Sequence, residues 1–294
     1  MIDAARMTVV SPDDWRAAGD TFEWRGQRIF FRAEGVGEPV LLVHGFPTAS
    51  WDYSLLWPHL VARYRLLTLD MIGFGFSAKP RGFPYSIMAQ ADLFGALLER
   101  ERVTSYRLLA HDYGDTVAQE LLARQADPAQ PRIVSACLLN GGLFPEAHHA
   151  LITQKLLASP LGPLVARLGG YRSFARAMRR IWGRHPVSEA ELRAMWRLIT
   201  EHDGQAVMPQ LIGYLAERRA HRSRWVGALT GAPAPLRFID GLVDPISGAD
   251  MVARYRELVP HPDIVELPGI GHYPQLEAPA AVAIAILEHF ARAP

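Results

Sequence analysis

The sequence predicts an α/β fold, a mostly parallel central sheet flanked by helices, with an inserted helical cap. Three observations predict it. Short apolar runs alternate with helical patterns, one long stretch is helical without a convincing strand, and several runs end in polar residues suited to chemistry.

Phe22 to Ala33 places apolar stretches on either side of Gly26-Gln27, the pattern of an opening hairpin. Pro39-Val40-Leu41-Leu42-Val43 is a continuous apolar run ending at His44-Gly45, as expected of a strand buried on both faces of a parallel sheet. Tyr64 to Leu69 repeats the pattern before Asp70, and Tyr106 to Ala110 repeats it before His111-Asp112. Helical patterns over Ser86 to Arg102 and Thr116 to Arg124 lie between the runs, so strand and helix alternate as in right-handed βαβ units. Ile133 to Leu139, Leu236 to Ile239 and Ile264 to Leu267 supply later strands, followed by a C-terminal helix from Pro279 to Arg292. Sheets of this kind bind ligands beyond the carboxyl ends of their strands.

Residues 146–225 differ in character, being helical and rich in Arg and Leu. They read as a cap inserted into a core made of 1–145 and 226–294. The basic run from Arg218 to Arg224 reads as a solvated helix face.

At 294 residues and 49% hydrophobic, the chain can bury a large core and carry an inserted subdomain. With 31 Lys and Arg against 30 Asp and Glu, no strong pull toward nucleic acid or anionic lipid is implied, and a small molecule fits better as partner. The single cysteine, Cys137, sits in an apolar strand and reads as a buried structural thiol. Asp3 and Arg6 stand near the start, and no run of about 18 apolar residues occurs, so no membrane insertion and a cytoplasmic location are expected. Oligomeric state is left open.

Leu108-Leu109-Ala110-His111-Asp112-Tyr113-Gly114 carries the most information. A strand runs into a helix through small-x-nucleophile-x-small, the layout of a strained elbow, with Asp112 at the nucleophile position. The bland alternative is that Asp112 merely caps the following helix. A hydroxyl nucleophile needs a base to remove its proton, whereas an ionised carboxylate attacks as it stands, which suits displacement at saturated carbon. A histidine then has one task, to activate the water that hydrolyses the resulting ester.

That base is His272, in Gly271-His272-Tyr273-Pro274 after the last strand; the order nucleophile, acid, histidine matches the elbow reading. Its orienting acid is Asp244, on a loop, in preference to Asp240 at the end of the strand. Oxyanion donors are expected from the backbone N–H groups of Tyr113 and Phe46, the latter on the loop His44-Gly45-Phe46-Pro47. His44 is placed on that loop facing substrate. Asp115 reads as a helix cap. No set of histidines, carboxylates and cysteine has ligand spacing, so neither metal nor cofactor is expected.

Together these motifs resemble the α/β-hydrolase superfamily over almost the whole chain, particularly its epoxide hydrolase and haloalkane dehalogenase branch. The oxyanion loop, Asp70-Met71-Ile72-Gly73-Phe74-Gly75-Phe76-Ser77 and His111-Asp112-Tyr113-Gly114 carry that resemblance. A closer one, to mesoderm-specific transcript proteins, rests on His111 to Asp115, Val117 to Leu122, Asn140-Gly141-Gly142, Arg224 to Leu229 and His272 to Glu277.

The epoxide hydrolase resemblance implies a small apolar organic substrate, with water as second reactant, and two cap tyrosines that hold the epoxide oxygen. Tyr214 is similar to the second by its place; Tyr171 is the candidate for the first. The dehalogenase resemblance implies an indole donor for halide, and here Tyr113 stands where tryptophan is usual, leaving Trp182, Trp196 and Trp225 as candidates. Epoxide hydrolysis is the expected reaction, dehalogenation the runner-up, and a non-catalytic small-molecule binder the rival of another class.

Overall fold

The computed structural model describes residues 9–292, so Asp3 and Arg6 lie outside them. Helix α1 (Pro12–Ala17) precedes a hairpin of β1 (Asp20–Trp24) and β2 (Gln27–Glu34). Then come β3 (Pro39–Val43), α2 (Trp57–Val61), β4 (Arg65–Leu69), α3 (Ile87–Arg100), β5 (Ser105–His111), α4 (Tyr113–Ala123) and β6 (Arg132–Leu139). An insertion without strands follows, made of α5 (Ile152–Leu157), α6 (Gly162–Leu168), α7 (Tyr171–Ile181), α8 (Glu189–Thr200), α9 (Met208–Leu211), α10 (Tyr214–Ala220) and α11 (Arg222–Thr230). The chain returns through β7 (Leu236–Gly241), α12 (Ala249–Leu258), β8 (Asp263–Leu267), α13 (Pro274–Glu277) and α14 (Pro279–Arg292).

The eight strands form one sheet in the order β1-β2-β4-β3-β5-β6-β7-β8, antiparallel through β2 and β4 and parallel from there on. Arg25 and Gly26 turn the hairpin with φ of 49° and 72°, the left-handed pair that matches the twist of two antiparallel strands. The apolar runs behave as their composition requires. Along β3, Leu41 and Val43 enter the core on one face while Val40 and Leu42 enter it on the other, all fully buried. Helices α3, α4 and α12 cover the first face, and α14 covers the second through Val282, Ile286 and Phe290.

This alternation directs the strands' carboxyl ends to a common edge. The registers Val43↔Ala110, His111↔Leu139 and Gly241↔Leu267 bring together the loops that follow β3, β5, β6, β7 and β8. Helix α4 begins at Tyr113, three residues before its apolar periodicity becomes visible, because the elbow leads into the helix with no intervening loop.

The insertion is tied to α4 by polar contacts. Glu120, almost fully buried, accepts from Arg224, Arg124 and the ring N–H of Trp225 at 2.7–3.0 Å. Burial alone would raise its carboxyl pKa, but these charged donors bring it below the usual value. The basic run is therefore only in part a solvated face: Arg219, Ser223 and Arg224 are exposed. Arg224 pairs with Glu120, Arg222 pairs with Glu146, and Arg218 is 2% exposed.

Candidate active site

Asp112 follows β5 with φ 50° and ψ −107°, a conformation that costs an L-residue of order 1–3 kcal/mol. It occupies the N-cap position of α4, yet its side chain makes no capping bond. Its Oδ2 instead accepts from the backbone N–H of Phe46 at 3.0 Å, on the neighbouring loop. Capping therefore does not explain this aspartate. The elbow closes tightly because Gly114 lacks a Cβ, which would lie 2.2 Å from the Val43 carbonyl oxygen. Tyr113 opens the helix, so its N–H has no acceptor within it.

The second carboxylate oxygen, Oδ1, faces Nε2 of His272 at 3.9 Å. On the other side of that ring, Nδ1 lies 2.7 Å from Oδ2 of Asp244, which fixes the tautomer with Nδ1 as donor and leaves Nε2 available. All three side chains are buried. Burial works against the imidazolium, but the charge and hydrogen bond of Asp244 and the charge of Asp112 outweigh it and raise His272 to about 9.

Asp244 is held by an extensive set of donors. Oδ1 accepts from the Ile246 N–H at 2.8 Å, and Oδ2 accepts from the Ser247 hydroxyl at 2.9 Å and the Asn140 amide at 3.1 Å. Burial would raise its pKa, yet the His272 charge and these bonds bring it below the ordinary carboxylate value. Asp240, also buried, makes no side-chain hydrogen bond among the described residues, and desolvation pushes its carboxyl well up. Geometry thus separates the two acids, because Asp240 still lies within β7 while Asp244, on the loop beyond it, reaches the His272 ring.

Other expected site residues fall elsewhere. His44 is buried with both ring nitrogens committed, Nδ1 to the Gly45 carbonyl at 2.9 Å and Nε2 to the Met71 N–H at 3.0 Å, so it shapes the loop and has no nitrogen left for substrate. Tyr171 is half-buried with its hydroxyl on Glu189 at 2.7 Å, outside the cavity described below. Asp115 does not cap its helix; its carboxyl turns inward against Gly141, where a Cβ would lie 1.9 Å from Oδ2. Burial, with the nearby Asp112 charge, pushes that group well above the ordinary carboxylate value.

Tyr214 is brought to the site. Its ring lies 4.8 Å from that of Tyr113 and 6.2 Å from that of Phe46, and its hydroxyl is buried with no hydrogen-bond partner among the described residues. Burial and the nearby Asp112 charge raise the phenol, keeping it protonated. One turn later on the same helix, Arg218 stacks over the Tyr214 ring at 4.5 Å. Its guanidinium donates to the Thr116 hydroxyl at 2.7 Å and to the Asp112 carbonyl at 3.2 Å. Charge patterning hid this residue, since a cation inside a basic run gives no sign of turning inward. Its i,i+4 spacing from Tyr214 was the one available signal. Glu277 was missed as well; it accepts from the N–H groups of Gly183, Gly271 and Tyr273 and so fixes the loop that carries His272.

A cavity of about 160 Å³ opens onto the site. Its walls are chiefly apolar, with Leu157, Phe174, Met178, Trp196 and Ile246 among them, and Phe46 and His272 also lie on its wall. That volume is close to the roughly 150 Å³ of an engineered apolar cavity that admits benzene. A carboxylate, a histidine backed by an acid and an apolar cavity are together the kind of groups that can displace a leaving group at carbon and then hydrolyse the ester.

Among known proteins, the chain is 42% identical over 279 residues to the mesoderm-specific transcript homolog protein of Bos taurus, covering 90% of this chain and 83% of that protein. It is 40% identical over 284 residues to the putative hydrolase LipZ of Mycobacterium tuberculosis, covering 96% and 98%. Two solved structures share its fold at a TM-score of 0.78. Haloalkane dehalogenase DbeA from Bradyrhizobium elkani is 21% identical, covering 93% of this chain and 97% of that one, and epoxide hydrolase CorEH is 17% identical, covering 93% and 98%. The model of the alpha/beta hydrolase family matches residues 40–285. On this match and on the identity to its curated relatives, the chain belongs to the α/β hydrolase family.

Proposed function

We propose that this hydrolase uses Asp112 as nucleophile on a small apolar epoxide, beneath a helical cap formed by the insertion. One observation carries the reading: Oδ2 of Asp112 is held by the Phe46 N–H while Oδ1 faces Nε2 of His272, and both Phe46 and His272 stand on the cavity wall. In the first step Oδ1 attacks a ring carbon, the C–O bond of the ring breaks, and the ring oxygen takes the phenolic proton of Tyr214. In the second, His272 removes a proton from water as it adds to the ester carbon, and the charge developing on Oδ2 is met by the N–H groups of Phe46 and Tyr113. Collapse expels the diol oxygen, which takes the proton from His272, and the Asp112 proton returns to the Tyr214 phenolate. The net reaction is epoxide plus water to diol.

Dehalogenation is the second reading, favoured by one feature: of the three candidate tryptophans, Trp196 lines the cavity. Trp225 gives its ring N–H to Glu120, and Trp182 stacks on Tyr273 at 5.2 Å. The unpartnered phenol of Tyr214 favours the epoxide.

Intact-protein mass spectrometry of His272→Gln after incubation with styrene oxide, and separately with 1-bromobutane, tests the reading. A mass increase of one styrene oxide mapped to Asp112 supports it. An adduct from bromobutane alone moves the assignment to dehalogenation, and unmodified Asp112 with both reagents overturns the nucleophile.

A further inference from the structure

The near-neutral charge of the whole chain conceals a local segregation. Between Glu146 and Glu189 the sequence has no Asp or Glu, but it has Lys155 and six arginines from Arg167 to Arg184. All seven are exposed. Arg179 pairs with Glu189, and the others make no ion pair among the described residues.

The same segment holds five of the eight large hydrophobic side chains that stand exposed among the described residues. These are Ile152, Leu156, Leu161, Leu164 and Leu168, between 41% and 75% exposed, all on or beside α5 and α6. Helix α7 is strongly two-sided, with Ala175, Met178 and Ile181 buried and Arg172, Arg176, Arg179 and Arg180 outside. Aliphatic and cationic groups side by side on short surface helices match the chemistry of an anionic bilayer surface, where apolar side chains enter the acyl boundary and cations meet lipid phosphates and carboxylates.

The position of this surface relative to the cavity gives it a use. Thr153, Gly170 and Ser173 both line the cavity and are exposed, so the cavity reaches solvent between α5 and the start of α7. Ile152 adjoins Thr153 and Leu168 lies two residues before Gly170, so aliphatic side chains flank that rim. A second copy of the chain fits poorly here, because a two-fold contact would set this patch of cations against itself.

We propose that α5, α6 and the outer face of α7 form a peripheral docking surface for anionic membranes, with the cavity mouth facing the lipid, and that the substrate is a lipophilic molecule drawn from it. Docking does not depend on the reaction proposed above; only the substrate class rests on that reading. No helix of the described residues is long and apolar enough to cross a membrane, so attachment is to one leaflet.

Sedimentation of the full chain with sucrose-loaded vesicles tests it, using phosphatidylcholine alone and phosphatidylcholine with phosphatidylserine, at low salt and at high salt. The expected result is at least tenfold tighter binding to the serine-containing vesicles, weakened by salt because the pairing is screened. Leu161→Ser/Leu164→Ser/Leu168→Ser and, separately, Arg172→Ser/Arg176→Ser each reduce binding at least tenfold while keeping the wild-type melting temperature. Absence of sedimentation with either vesicle, or equal sedimentation with both regardless of salt, overturns the proposal. So does a dimer in gel filtration that the triple leucine variant dissociates. The wild-type salt and lipid comparison decides even where a variant fails to fold. Vesicle binding without any Asp112 adduct keeps this inference and removes the reaction, and the reverse pair of results does the opposite.

Discussion

Nε2 of His272 stands 3.9 Å from Oδ1 of Asp112, beyond hydrogen-bonding range, while Nδ1 of the same ring lies 2.7 Å from Asp244. The histidine is thus bound to Asp244 and held apart from Asp112. In the proposed mechanism a carboxylate nucleophile needs no deprotonation, so this separation would leave Oδ1 open to an electrophile and keep Nε2 for water in the second step.

Asp112 sits at φ 50° without using its side chain as a helix cap, so replacing it by glycine relieves the backbone at the cost of the bond from Phe46. Asp112→Gly is expected to raise stability by about 1 kcal/mol, or roughly 2–4 °C in Tm for a chain of this size. The same change is expected to abolish turnover, about 10⁴-fold or more, as loss of a covalent nucleophile does. Calorimetry and a steady-state assay on one sample check both, and a fall in Tm counts against stored strain.

His272 titrates near 9 when folded, above its unfolded value of about 6.5, because Asp244 and Asp112 favour its charged form. Its contribution to stability is therefore fully present below about pH 6.5 and is lost as the pH rises through 9. Urea unfolding between pH 6 and 10 should show a decline in wild type that His272→Gln lacks. Alkylation removes the Asp112 charge, so ester hydrolysis in the alkyl-enzyme should reach its pH midpoint below 9, measurable by single-turnover kinetics.

Tyr214→Phe removes a buried hydroxyl that has no hydrogen-bond partner among the described residues. Stability should hold or rise by about 1 kcal/mol, since an unpaired buried polar atom is lost. Epoxide opening should slow by about 10²-fold, the usual loss for a general acid, with little effect on a haloalkane. Equal slowing of both reagents would assign Tyr214 to packing.

Arg218→Met deletes the bonds to the Asp112 carbonyl and the Thr116 hydroxyl, leaving both acceptors buried. A loss of about 2–4 kcal/mol is expected from urea unfolding. Arg218→Lys keeps the charge without the planar fork, so it should recover part of the stability but less of kcat, because the elbow is no longer held by two donors at once.

The strands and the sharp strand-to-helix turn at Asp112 were legible because both are local. Pro39–Val43 and Ser105–His111 must be apolar throughout to be buried on two faces, and a sharp strand-to-helix turn demands small residues on either side of Asp112. Chain order along the sheet likewise placed His272 and Asp244 beyond late strands. Helix α12 went unseen, since three buried residues in ten give a weak period, and so did the inward turn of Asp115.

By itself the sequence determined the parallel sheet, the sites of the loops at its carboxyl edge and the residue types at their ends, through periodicity and turn chemistry that act within a few residues. Only the tertiary structure decided that His44 spends its nitrogens on backbone groups, that Tyr171 faces Glu189, that Arg218 enters the core, and that Thr153, Gly170 and Ser173 stand both exposed and on the cavity wall. Each of these depends on which distant element lies across from a side chain. Residues such as Asp112 and Arg218, 106 positions apart, meet only when the sheet and insertion have packed.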